Sequence, residues 1–231
     1  MPQISDAIAY QTEHDDWVTT VLIGGVLSAF GFLLLPLLPV YGYVVRVIRH
    51  PLEGDPRPPT FGDREELVVD GAKAVLVGAV SVLIPGIVSG VTVGGSIVAI
   101  ATGTRGGAAT GIAGLVVGGL LTVVLSLVFG YVAVAAVVAF ADERRVDAAF
   151  DPDVLKPVVL SGAYATAWVF SLAVLLGASV LVGVLNGIPI LGAVVFFYAQ
   201  VVAARLWAGG YADARTEAEG ATRPDVGGSV A

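Results

Sequence analysis

Charged residues fall along this chain in blocks. Positions 18–45, 106–141 and 157–204 contain no Asp, Glu, Lys or Arg, and 74–104 is equally free of them. Each run holds apolar side chains on every helical face. A soluble helix carries its polar residues on one side, and these carry none. About 20 apolar residues suffice to cross a bilayer, so the pattern predicts an all-α, polytopic integral membrane protein. Strands of a membrane barrel would alternate in polarity and turn about every ten residues. Neither signal is present.

Five spans are expected, long and kinked. The first runs from Trp17 to about His50 and is bent by Pro36 and Pro39. The second opens near Arg64 and stays apolar to about Ala101, interrupted at Pro85-Gly86; 85–102 reads as a kinked continuation, a half-helix or a sixth span. A tight turn at Gly103–Gly106 leads into a third run reaching Phe140. The fourth ends near Leu185, and the fifth covers 189–208. A polar leader (1–16) precedes this single membrane domain (17–209), and a disordered tail (210–231) follows it.

Polar connectors separate the runs. In the first, Pro51, Pro56, Pro58 and Pro59 forbid a continuous helix. Asp63 is positioned as an N-cap, with Glu66 completing a capping box. The second runs over 141–156, where Asp151 is the expected cap and Pro152 takes the first helical position.

Glycine spacing predicts where helices touch. Gly86, Gly90 and Gly94 recur every fourth residue, as do the pairs Gly107/Gly111 and Gly114/Gly118. Such stripes let helix backbones approach closely in lipid. With a turn at Gly103–Gly106, Gly94 is expected near Gly114 or Gly118.

Composition sharpens this picture. Hydrophobic residues make up 56% of the chain and charged residues 13%, about half the charged share of a soluble domain. Cysteine is absent, which removes disulfide and thiolate chemistry. The first fifteen residues carry Asp6, Glu13, His14 and Asp15 but no apolar run, unlike a cleavable signal. Acidic residues number 19 against 12 basic ones, only two of them lysine. That balance disfavours nucleic acid as a partner and suits a high-salt cytoplasm. A five-span arrangement with the N-terminus outside and the C-terminus cytoplasmic puts eleven basic residues inside and Arg105 alone outside, as positive-inside bias requires.

A short internal repeat is legible. Val40-Tyr41-Gly42-Tyr43-Val44 matches Val128-Phe129-Gly130-Tyr131-Val132. Each is followed by a charged connector ending in phenylalanine near an aspartate (Phe61 with Asp63, Phe150 with Asp151), then by a helix with an early glycine (Gly71, Gly162). These define repeat-like units 17–102 and 107–185. The richness of the chain in Val and Gly is the competing explanation.

The Gly42-Tyr43 then Arg46 pattern, the Pro58-Pro59-x-Phe61-x-Asp63 block and Asp70-Gly71-x-Lys73 resemble a group of multi-pass, mostly haloarchaeal membrane proteins. That family is catalogued as a domain of unknown function, number four thousand and thirteen. The resemblance implies membrane location and a salt-loving archaeon, and it implies no activity. An aromatic often follows the Phe-x-Asp block in the family; Arg64 and Glu65 stand there in this chain.

Candidate chemistry is sparse. Asp70 and Lys73 share a helix face and read either as a charge pair gating a pathway or as side chains snorkelling to the interface. Glu13-His14-Asp15-Asp16 is an acidic cluster, but neighbouring residues on an exposed leader do not converge on a cation. Asn186 and Gln200 suit hydrogen bonds between helices. His14 and His50 are the only histidines, and no nucleophile-base, zinc or phosphate-loop motif occurs. The expectation is a non-enzymatic protein with no cofactor or metal. It would use its cytoplasmic connectors to dock a membrane or cytoplasmic protein partner, or to organise the lipid bilayer, with Asp63, Phe61, Asp70 and Lys73 as weak site candidates. The alternative is a small permease or channel component built on glycine-broken helices.

Overall fold

The structure is a computed structural model that describes residues 4–10, 16–30, 35–55, 57–185 and 188–222. Among them there is no strand. The helices are α1 (Ile4–Ala9), α2 (Trp17–Ala29), α3 (Leu37–Leu52), α4 (Arg64–Ala101), α5 (Arg105–Glu143), α6 (Pro152–Val159), α7 (Gly162–Val184) and α8 (Pro189–Thr222), with a 3-10 turn at Asp147–Phe150. Four stretches are long and apolar enough to cross a membrane: Arg64–Ala101, Arg105–Glu143, Gly162–Val184 and Pro189–Gly220. Trp17–Ala29 is a shorter apolar helix. The chain is an all-α polytopic membrane protein.

Contacts divide it into two units, residues 1–75 with 135–231, and residues 76–134. In the first, α8 is the axis. Gly24 and Gly25 of α2 admit the Phe197 ring and Val194, while Tyr43 of α3 meets the same Phe197 at 5.5 Å between ring centroids. Ala7 clusters with Val202 and Leu206. Tyr10 donates to the Arg57 carbonyl at 3.2 Å, and the Arg205 guanidinium lies 5.3 Å over the Tyr10 ring. The chain leading into α2 and the connector leaving α3 therefore share the Arg205 end of α8, and α2 and α3 are antiparallel.

This corrects the single bent span expected over 17–50, and with it the assignment of leader and first connector to opposite ends. Pro36 takes the N-cap position of α3 and Pro39 its first turn. The missing N–H groups are unneeded at those positions, so the prolines start a new helix instead of bending an old one. Elsewhere α4 is one continuous helix through Pro85. Asp151 caps α6 by accepting from the Asp153 N–H, with Pro152 at N1 as expected. Ser161 then caps α7 separately, which breaks the fourth run. The tail expected to be disordered from 210 is helical to Thr222. Arg215 comes within 3.8 Å of both Asp142 and Glu143, and Ser161 donates to Glu217 at 2.8 Å. Trp207 donates its indole N–H to Ser171 Oγ at 2.6 Å, joining α7 to α8.

The second unit is the hairpin of α4 and α5 about Gly103, whose φ is +69°. Its seam departs from the glycine pairing expected. A Cβ built on Gly86, Gly90 or Gly94 meets nothing within 4 Å. A Cβ built on Gly118 would instead come within 2.7 Å of the Thr92 Cβ, one on Gly114 or Gly111 would run into Ser96, and one on Gly107 into Thr102 and Ala99. Thr92 and Ser96 are two positions on from Gly90 and Gly94, hence about 200° around the helix. Their hydroxyls bond back to the carbonyls of Val88 and Thr92 at 2.8 and 2.6 Å. With the polar atom satisfied inside its own helix, serine or threonine serves as a small residue.

Candidate functional site

Gly42, Arg46 and Arg49 follow at spacings of four and three, so one face of α3 carries all three. Glu66 and Asp70 stand four apart on α4, with Gly71 adjacent. A Cβ at Gly42 would run into the Leu67 carbonyl, and one at Gly71 into the Leu38 carbonyl. The two glycines bring the helices into backbone contact, and the charged side chains meet beside that crossing.

Arg46 is 8% exposed, Arg49 4% and Asp70 7%. Arg49 Nη1 donates to Asp70 Oδ2 at 2.8 Å, its Nε donates to the Ala141 carbonyl of α5 at 3.1 Å, and Glu66 Oε1 lies 3.7 Å away. One guanidinium thus joins α3, α4 and α5. Arg46 turns to the connector. It donates to the carbonyls of Gly62 at 2.8 Å, Asp63 at 3.2 Å and Thr60 at 3.4 Å, and to Glu66 Oε2 at 3.0 Å. The planar fork of arginine supplies this many donors, where lysine has a single point charge.

Phe61 lies flat on Tyr43, centroids 4.5 Å apart at 11°, and 6.2 Å from Phe197. Pro58 and Pro59 are buried. The Pro-Pro-x-Phe-x-Asp block and the Gly-Tyr-x-x-Arg pattern are therefore two halves of one clamp. The prolines hold the connector extended, the ring anchors it, and Arg46 gathers its carbonyls.

The other candidates settle differently. Asp70 pairs with Arg49 and not with Lys73, because the arginine approaches from the packed side of α4. Lys73 is half-buried and makes no ion pair among the described residues. Asp63 is exposed with φ +46°, away from the extended geometry of a side-chain N-cap. Its carbonyl, not its carboxylate, enters the clamp, and Glu66 turns to Arg46, so the capping box does not form. Gln200 is half-buried in α8 and its side-chain amide makes no hydrogen bond among the described residues. Glu13, His14, Asp15 and Asn186 lie outside the described residues. Gly130 and Gly162, the repeat counterparts of Gly42 and Gly71, meet nothing within 4 Å, and Phe150 is 46% exposed. The likeness of the two repeat units does not extend to their packing.

Sequence reasoning missed Arg46 and Arg49 as a pair. Their spacing from Gly42, matched by Glu66 and Asp70 on the next helix, was the available signal. It also missed the link between connectors. Arg144, with φ +56°, donates to Glu53 Oε1 at 2.5 Å, and that bond raises the arginine pKa further. Arg145 bridges Glu143 and Asp147 at 3.0 and 2.7 Å. The site holds paired charges, and no group of three metal-ligating side chains occurs among the described residues.

No curated protein and no solved structure matches the chain. Residues 23–187 match the family described as "Protein of unknown function (DUF4013)". That stretch takes in the whole clamp and well over half of the sequence, and the chain belongs to this family.

Proposed function

We propose that the chain is a non-enzymatic, multi-pass protein of the cell membrane whose two connectors and α8 C-terminal extension form one cytoplasmic platform that docks a protein partner. The observation carrying this reading is the clamp. A loop that only reverses the chain between spans needs no buried arginine on three of its carbonyls, nor a salt bridge to the next connector. Ordering residues costs conformational entropy of about 1–2 kcal/mol each, which a presented surface justifies.

Charge supports the orientation. The leader carries no Lys or Arg, so moving it to the connector side, as the Tyr10–Arg57 bond implies, keeps eleven basic residues on one face and Arg105 on the other. Both termini are then cytoplasmic.

The test is photo-crosslinking in native membranes from probes at Glu65 and Asp153, with Arg105 as the outer control. The reading expects one discrete partner from both inner probes, lost in Arg46→Met at unchanged protein level. Equal products from all three probes, or solute flux through purified protein in liposomes, would contradict it.

A further inference from the structure

Most arginines of the first unit are spoken for. Arg46 and Arg49 pair with Glu66 and Asp70, Arg57 with Asp55, Arg144 with Glu53, and Arg145 and Arg215 with the end of α5. Arg205 is different. Val201, Val202, Ala203, Ala204, Leu206 and Ala208 around it are buried, Arg205 itself is partly buried, and among the described residues no carboxylate lies within ion-pair distance of it. Its guanidinium rests on the ring of Tyr10, which is 3% exposed and fixed through its hydroxyl to the Arg57 carbonyl. The second copy of this chemistry, Arg215 over Tyr211 at 5.9 Å, has two carboxylates within reach; Arg205 has none among the described residues.

Depth identifies the missing anion. Arg205 is the first charged residue after Pro189, sixteen positions along α8, or about 24 Å of rise. A hydrocarbon core is about 30 Å thick. With Pro189 at one edge of that core, the long Arg205 side chain reaches the headgroups of the other, with Trp207 close by in sequence where indoles prefer to lie. An arginine there, seated over an aromatic ring and with no hydrogen-bond acceptor among the described residues, matches a phosphate in charge and donor pattern.

We propose that Arg205, seated on Tyr10, binds the phosphate of a membrane phospholipid. The shared chemistry is a phosphate monoanion, and lipid is the source favoured by depth. This names a ligand beyond the docking platform and does not depend on it.

The test uses the purified full chain in detergent micelles, given phosphatidylglycerol, diacylglycerol with the same acyl chains, or inorganic phosphate. Phosphatidylglycerol should raise the melting temperature by about 4 °C, as expected for a ligand at tenfold its Kd on a chain of this size. Diacylglycerol and inorganic phosphate should not. Arg205→Gln should lose the response, Arg205→Lys should keep part of it, and Arg64→Gln should keep it all. In the wild-type chain phosphatidylglycerol should protect Arg205 from phenylglyoxal, a readout that stands if the variants fail to fold. An equal response to diacylglycerol, an equal response to inorganic phosphate, a full response in Arg205→Gln, or unprotected Arg205 would each overturn the proposal. The crosslink from Glu65 is read separately, so either proposal can fail alone.

Discussion

Removing the carboxylate of Asp70 tests the clamp where it is deepest. In Asp70→Ala, Arg49 stays buried with the Ala141 carbonyl at 3.1 Å and Glu66 at 3.7 Å, but loses its closest partner at 2.8 Å. Breaking a buried ion pair costs about 3–5 kcal/mol, because the remaining charge is desolvated without compensation. The Glu66 side chain is 50% exposed and able to swing toward Arg49, which places the loss at the lower end, about 3 kcal/mol. That corresponds to a roughly 150-fold shift in the unfolding equilibrium and a fall in melting temperature of about 6–12 °C. Reversible unfolding in mixed micelles of rising SDS fraction, followed by tryptophan fluorescence, measures it. The double change Arg49→Met with Asp70→Leu removes both charges and should recover to within about 1 kcal/mol of wild type. A loss below about 1 kcal/mol in Asp70→Ala, or a double variant as poor as the sum of its singles, would mean that water reaches the pair and the buried clamp is not what orders α3, α4 and α5.

Gly42→Ala and Gly71→Ala each press a Cβ onto a carbonyl of the facing helix and should cost about 2–3 kcal/mol in the same unfolding assay, whereas Gly86→Ala and Gly90→Ala meet open space and should be neutral or gain up to about 1 kcal/mol. Asp63→Ala should lose about 1 kcal/mol through its left-handed backbone while Asp63→Gly loses nothing; equal losses would point to the carboxylate instead. In the cysteine-free chain, Thr92→Cys with Gly118→Cys should form a disulfide on oxidation, and Gly94→Cys with Gly114→Cys should not, as gel mobility will show.

The membrane class, the proline-broken connector and the Asp151–Pro152 helix start were all legible because each rests on local chemistry: missing charge, missing N–H groups, a short side chain beside an orphan donor. The hairpin of α2 and α3 was not. Whether Pro36 bends a helix or starts one depends on what the helix after it packs against, and Phe197 meets Tyr43 of that helix from more than 150 residues away. The glycine stripe misled for a related reason. Spacing identifies a face but not its neighbour, and back-bonded Thr92 and Ser96 served the seam as well as glycine. Asp70 was singled out as an ionisable group beside a span, but its partner lay 21 residues back on another helix, where the i, i+3 rule could not look.

If α2 and α3 form a hairpin, the leader and both connectors lie on one side of the membrane. Single cysteines at Ser5, Thr60, Asp147, Glu219 and Gly103, each in the otherwise cysteine-free chain, can be labelled with a membrane-impermeant maleimide in sealed, oriented vesicles. Ser5, Thr60, Asp147 and Glu219 should react from one side and Gly103 from the other. Labelling of Ser5 together with Gly103, and apart from Thr60, would contradict the hairpin.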